Sequence, residues 1–350
     1  MTLGIIDVGT NSIHLLVGIL GLRGAFHVIL KERDLTRLGE GGLARGRLTR
    51  AAMRRAMGVL DRYAMLMKRC RVDHVEAVAT SAVREAGNGR EFVAHVRKRL
   101  GVPLRVISGR EEARLIYLGV AQTERFRRPV LIITIGGGSA QVVDGQGTQL
   151  RYAVSLPLGG ARLAQQFIHH DPPKSKEVDA LRTAVDDAWK PVVRALRRSG
   201  RRQALGSSAT IAQLMMAAYV REHGREPKAK RSLTMARDSL RELVGWLTTS
   251  SARERLQLEG LDPRREDLAL PTGIALLSWM ESCGIATLRY APGSVREGLV
   301  IDYLIRHHQR AQRIGDPLAE MLGYNGGDLL GLRPSKIDVA STGSDRRTAR

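Results

Sequence analysis

One short structural phrase occurs twice in this chain, and the repeat restricts the folds open to it. Near the N-terminus the apolar run Ile5-Ile6-Asp7-Val8 breaks at Gly9-Thr10-Asn11-Ser12 and an apolar run resumes. Far downstream, Ile132-Ile133-Thr134-Ile135 breaks at Gly136-Gly137-Gly138-Ser139 and again resumes. Each copy reads as a buried strand, a tight turn and a second strand. Glycine in such a turn lets backbone N–H groups approach an anion closely, and a Ser or Thr hydroxyl adds a donor. Gly9, Thr10, Asn11 and Ser12, with Gly136, Gly137, Gly138 and Ser139, are therefore candidate phosphate-binding residues. Two such cradles face to face would hold a phosphate chain between two domains.

The order of elements around the two copies repeats as well. Three strands form a meander over roughly the first 30 residues, followed by a glycine-rich loop at 37–42 and a helix whose N-cap is Thr49. A strand at 75–79, a helix at 90–100, a strand at 104–107 and a helix capped by Ser108 complete the first set. The chain turns basic and breaks at 125–129, and the order restarts: strands to 135, at 140–143 and at 149–154, helices at 160–167 and 175–197, then a strand at 203–205. This duplication predicts two α/β domains, 1–125 and 126–309. Residues 310–350, rich in Gly, Asp, Pro, Ser and Arg, read as a loosely ordered tail. Gly206, Ser207 and Ser208 head a further helix and make a third candidate cradle, although an ordinary Ser-capped turn explains them equally well.

Among residues that could do chemistry, Asp7 ends a buried strand beside the first glycine turn. A carboxylate there suits Mg²⁺, which takes oxygen ligands and bridges to phosphate, and it equally suits turn capping. Arg84 follows a strand end, where its guanidinium could reach a phosphoryl group. Glu111 and Glu112 stand in the first turn of a helix. There they favour the dipole, and one of them could orient a water for attack on phosphorus. Neighbouring helix residues do not share a face, so at most one points into a cleft. His169 and His170 lack a third ligand at helical spacing and read as a solvated pair.

Composition adds a partner class. The 350 residues carry 56 Lys and Arg against 35 Asp and Glu, a formal charge of +21. That balance fits a polyanionic partner, and it fits equally an accumulation of arginine at solvated positions. Aromatics make up only 4%, too few to favour stacking on single-stranded nucleic acid. The N-terminal apolar run is interrupted by Asp7, Asn11 and His14, and no uninterrupted run could span a bilayer, so neither a signal peptide nor a membrane span is expected. Cys70 and Cys283 stand far apart with no Cys-x-x-Cys spacing, which fits reduced thiols in a cytoplasmic protein.

Taken in order, these motifs resemble the exopolyphosphatase and guanosine pentaphosphate phosphatase family, within the actin-like ATPase and ribonuclease H-like fold. The resemblance is collinear to about Leu304. It runs through Asp7-Val8-Gly9-Thr10-Asn11-Ser12, Arg37-Leu38-Gly39-Glu40-Gly41, Thr80-Ser81-Ala82-Val83-Arg84 and Ile107-Ser108-Gly109-Arg110-Glu111-Glu112-Ala113-Arg114. It continues through Ile135-Gly136-Gly137-Gly138-Ser139, Leu156-Pro157-Leu158-Gly159, Gly206-Ser207-Ser208-Ala209-Thr210 and Arg296-Glu297-Gly298. It implies release of a terminal phosphoryl group from inorganic polyphosphate, or from guanosine pentaphosphate with the tetraphosphate as a related ligand, in an interdomain cleft. By the same resemblance Glu112 matches the water-activating base, Arg84 a phosphate-binding arginine and Asp7 a carboxylate of a Mg²⁺ (or Mn²⁺) site. A short, two-domain type and a homodimer are further expectations of that kind.

Two positions depart from the family pattern. Thr134 stands where the second cradle normally begins with Asp, and Ala140-Gln141 where it normally ends with Thr-Glu. Two carboxylates expected near the metal are thus neutral, which weakens recruitment of a cation and leaves the cleft more positive. A phosphohydrolase is the leading expectation, and a polyphosphate- or alarmone-binding protein with little turnover is the alternative. An ATP-dependent sugar or acetate kinase of the same fold ranks below both.

Overall fold

The computed structural model describes residues 1–21, 25–124, 128–147, 149–197, 203–227 and 233–314. Part of the boundary expected at 125–129, and the tail from residue 315 on, lie outside them. The apolar alternation of the first 34 residues yields β1 (Thr2–Val8), β2 (Ile13–Leu20) and β3 (Phe26–Asp34), paired antiparallel, with Asp7 directly opposite His14. Helix α1 (Arg50–Arg69) starts where Thr49 accepts a hydrogen bond from the Ala52 N–H at 3.1 Å, as its sequence predicts. It lays Ala52, Ala56, Leu60, Tyr63 and Met67 on the sheet, the 3.6-residue stripe of a helix with one buried face. Then come β4 (His74–Ala79), a short helix α2 (Ser81–Glu85), α3 (Gly89–Leu100), β5 (Leu104–Val106) and α4 (Gly109–Thr123). The first sheet has the order β3-β2-β1-β4-β5, with β4 and β5 parallel to β1.

The second half repeats that order. Strands β6 (Val130–Ile135), β7 (Ala140–Gln146) and β8 (Gln149–Leu156) form the meander, followed by α5 (Gly160–Phe167), α6 (Ser175–Leu196), β9 (Gln203–Gly206) and α7 (Ala209–His223). Strand β10 (Thr234–Ala236), α8 (Arg237–Thr249), α9 (Ala252–Gln257), α10 (Glu266–Ser282), β11 (Thr287–Tyr290) and α11 (Val295–Ile314) finish the described chain. The sheet order β10-β11-β9-β6-β7-β8 contains 8-7-6-9-11, the counterpart of 3-2-1-4-5, with β10 added at the edge. This is the duplicated actin-like, ribonuclease H-like α/β architecture that the sequence predicts. Helix α2 and strand β10 are additions to the predicted elements, and both are too short to show a period.

Among the described residues, three apolar clusters hold the molecule together. One joins the first sheet to α1 and α3 through Leu60, Tyr63 and Phe92. A second surrounds α10, which is buried on all sides around Trp279 and packs against α5, α6, α7 and α8. The third lies between the sheets, where Ile5, Val78, Ile116, Ile132 and Leu299 meet. Helix α4, from the first half, packs on β7 and β8, and α11, from the second, returns to pack on α4 and β1. The two halves are thus stitched reciprocally by these helices, and residues of both line a cleft. Among the described residues, no helix is long and apolar enough to cross a membrane.

Candidate active site

The C-terminal ends of the parallel strands in both sheets deliver loops to that cleft, as is usual for ligand sites in parallel α/β sheets. Strand β1 brings Asp7 and the Gly9–Ser12 turn, β6 the Gly136–Ser139 turn, and β9 brings Ser207 and Ser208; all of these line a cleft of about 200 Å³, together with Glu112. The two glycine turns abut. A Cβ on Gly138 would lie 2.4 Å from Thr10 Oγ1 and 2.6 Å from Ser81 Oγ, which explains a glycine there by close approach of the two halves. Gly206 does not line the cleft. A Cβ there would meet Ile211 and Leu288 at 2.8 Å, so its surroundings are packing contacts.

Glu112 sits in the first turn of α4, whose cap is formed by Ser108 accepting from the Glu111 N–H at 3.1 Å. The helix turns the two glutamates apart. Glu111 faces solvent and pairs with Arg105, whereas Glu112 is only 6% exposed. Arg84, on α2, donates to Glu112 Oε2 at 2.9 Å and to the Ile107 carbonyl at 3.1 Å. Burial pushes the Glu112 carboxyl up to about 7, against the opposing pull of Arg84. Arg84 does not itself line the cleft and touches it through Glu112. Asp7 is likewise pushed up by burial, to about 6, with Arg296 opposing and Glu297 reinforcing the rise.

The second turn is closed on itself by neutral groups. Thr134 Oγ1 donates to Gln141 Oε1 at 2.8 Å, and Gln141 Nε2 donates to Ser139 Oγ at 2.8 Å and Ser155 Oγ at 3.0 Å. By contrast Asp7 Oδ1, Asn11 Nδ2 and Arg265 Nε are buried in the cleft wall without a hydrogen-bond partner. Orphaned donors and acceptors of this kind are rare in a closed core and are expected where a ligand completes them.

Three cationic or imidazole groups in the wall were not among the candidates from sequence. Arg265, preceding α10, donates to Ser12 Oγ at 2.7 Å from the other half, and burial, followed by repulsion from Arg33, lowers its pKa to about 10. Arg296, on α11, donates to His14 Nδ1 at 3.0 Å. Burial and then Arg296 hold that imidazole neutral, far below its ordinary range. The two-residue period of a strand could have found His14, since it follows Ser12 by two and lies on its face. No local pattern marks Arg265 in so arginine-rich a chain.

The model of the Ppx/GppA phosphatase family matches residues 21–307. The chain belongs to that family. This Ppx/GppA protein is 31% identical over 304 residues to exopolyphosphatase 1 of Mycobacterium leprae, covering 86% of this chain and 89% of that one. It is equally 31% identical to exopolyphosphatase 1 of Mycobacterium tuberculosis, covering 86% and 88%. Among solved structures, it resembles the exopolyphosphatase of Cytophaga hutchinsonii with a TM-score of 0.79 and 26% identity, over 87% of this chain and 98% of that chain. The Aquifex aeolicus member of the Ppx/GppA family gives a TM-score of 0.71 at 26% identity, over 88% and 98%.

Proposed function

We propose that this Ppx/GppA protein releases terminal orthophosphate from inorganic polyphosphate, with guanosine pentaphosphate as a second substrate of the same chemistry. The observation that carries the reading is Glu112: a buried carboxyl near pKa 7, bonded to Arg84, in a cleft lined by two glycine turns. A group poised near neutral pH combines a useful ionised fraction with real basicity. The mycobacterial relatives are named exopolyphosphatases, and the net charge of +21 suits a long polyanion.

In this reading the terminal phosphoryl group lies against the two glycine turns, whose amide and hydroxyl donors complement its oxygens. Glu112 accepts a proton from the attacking water as the new P–O bond forms. The bond to the rest of the chain breaks, and the shortened chain leaves with that electron pair. Arg84 orients Glu112 and, as a fork of donors, can also serve the phosphoryl oxygens. Arg265 and Arg296 offer positive charge to the departing chain.

Asp7 fits a Mg²⁺ or Mn²⁺ ion, because its buried Oδ1 has no protein partner and Mg²⁺ accepts one or two carboxylates with phosphate oxygens and waters. Bound there, the ion would neutralise charge on the phosphate oxygens. Gln141 would contribute little, since its carbonyl is already taken by Thr134. Among the described residues no group of three His, Cys, Asp or Glu side chains could hold a metal.

That closed neutral pair also favours a second reading, a polyphosphate- or alarmone-binding protein with little turnover. Orthophosphate release from long-chain polyphosphate with Mg²⁺ or Mn²⁺ separates the two. The hydrolase reading expects release by the natural chain, loss in Glu112→Ala, and stronger metal dependence at lower metal concentration in Thr134→Asp with Gln141→Glu. Tight binding with no release at any metal concentration would favour the binding protein.

A further inference from the structure

The second glycine turn is held from outside by the start of α5. The Gly136 carbonyl accepts from the Gly160 N–H at 2.8 Å, and the Gly137 carbonyl from the Arg162 N–H at 3.0 Å. The Gly138 carbonyl accepts from the side chain of Arg162, Nε at 2.9 Å. In a planar trans peptide the carbonyl and the following N–H point opposite ways. Three carbonyls drawn toward α5 therefore turn the amides of Gly137, Gly138 and Ser139 away from it, toward the cleft those residues line. Two of the three fastenings are backbone groups of a helix start, and only the third depends on a side chain.

The other edge of the same guanidinium crosses to the first half. Arg162 Nη2 pairs with Glu85 and lies 3.4 Å from Ser81 Oγ, which itself donates to Glu85 Oε1 at 2.7 Å. Glu85 lies 3.7 Å from Arg84 Nη2, and Arg84 holds Glu112 at 2.9 Å. A chain of alternating charges, Arg162, Glu85, Arg84, Glu112, thus runs from the second turn to the acid of the first half. The Arg162 side chain is 15% exposed and that of Glu85 37%, so the guanidinium is sheltered while the carboxylate between the two arginines is partly screened by water.

On the reading of this cleft as a phosphohydrolase site, we infer that Arg162 is a positioning residue with two tasks. It keeps the amides of the 136–139 turn facing the phosphate chain, and by satisfying Glu85 it leaves Arg84 to Glu112. Lysine cannot replace it, because one ammonium lacks the planar fork that serves a carbonyl and a carboxylate together. Without Arg162, Glu85 keeps Arg84 as its nearest cation and competes for it with Glu112.

The test compares the natural chain with Arg162→Gln, Arg162→Lys and Glu85→Gln, by amide hydrogen exchange of the unliganded protein and by KM and kcat for long-chain polyphosphate. Arg162→Gln should speed exchange of the hydrogen-bonded amides that fasten the turn, at positions 136, 160 and 162, and raise KM about tenfold or more, the effect of losing one charge-assisted hydrogen bond, with kcat also reduced. Arg162→Lys, which keeps the charge near Glu85, should recover kcat without recovering KM or slow exchange. Glu85→Gln should alter kcat while exchange and KM hold. Natural exchange and natural KM in Arg162→Gln would overturn the inference. Should the natural chain release no phosphate, the proposed activity fails, while the exchange comparison alone still decides whether Arg162 orders the turn.

Discussion

Glu112 is held between opposed effects: desolvation favours its neutral form, and the Arg84 guanidinium favours its charge. Desolvation wins, so the folded protein holds this proton to about pH 7, whereas the ordinary value is 4.5. Between those limits the folded state binds more protons than the unfolded one, and this group's contribution to stability falls as pH rises. Glu112→Gln, which removes the buried charge, should therefore be more stable than the natural chain at pH 8 and differ little near pH 4. Denaturant titrations at the two values check this; a variant destabilised at pH 8 would show that the Arg84 pair outweighs burial. Asp7 and the pair Glu111 and Glu112 could be singled out from sequence because each stands beside a local signal, a glycine turn or a helix cap, and the family resemblance chose Glu112 within the pair. Arg162 and Arg265 could not, because their partners, Gly138 and Ser12, lie 24 and 253 residues away and arginine is too abundant here to mark a site.

At the scale of elements, the crossing of α4 and α11 fixes Glu112 and Arg296 against each other's halves. A Cβ on Gly298 would stand 1.9 Å from the Leu115 carbonyl oxygen, so the helices touch through backbone. Gly298→Ala should cost about 2–3 kcal/mol by overpacking and weaken activity by pushing α4 outward, checked by thermal unfolding and orthophosphate release together. Unchanged stability would mean that the crossing yields easily. Most elements were legible from period and caps, with Thr49 and Ser108 at their predicted posts. Helix α2 was not, since five residues show no period, although it carries Ser81, Arg84 and Glu85. Nor does the sequence of α11 alone show that it packs on α4.

For the whole molecule, the duplication was readable because the order of elements recurs, but the stitching of the halves was not. Between the halves, Arg37 grips Asp267 at 2.7 Å, Arg33 meets Asp262 at 3.1 Å and Arg265 reaches Ser12. These contacts join partners more than 200 residues apart, which no local pattern announces. The charge of +21 makes a separate prediction: polyphosphate affinity should fall steeply with added salt, as for other polyanions whose counterions are released on binding. Equilibrium binding across a salt series checks it, and salt-insensitive affinity would confine recognition to the turns. The central claim joins both halves, since Glu112 acts on a phosphate chain that the two glycine turns hold. Its most direct test is orthophosphate release from polyphosphate as a function of pH, for the natural chain and for Glu112→Gln. The account predicts that kcat/KM of the natural chain rises with pH through about 7 and that Glu112→Gln releases almost nothing at any pH. A Glu112→Gln protein that keeps the natural rate and profile would contradict it.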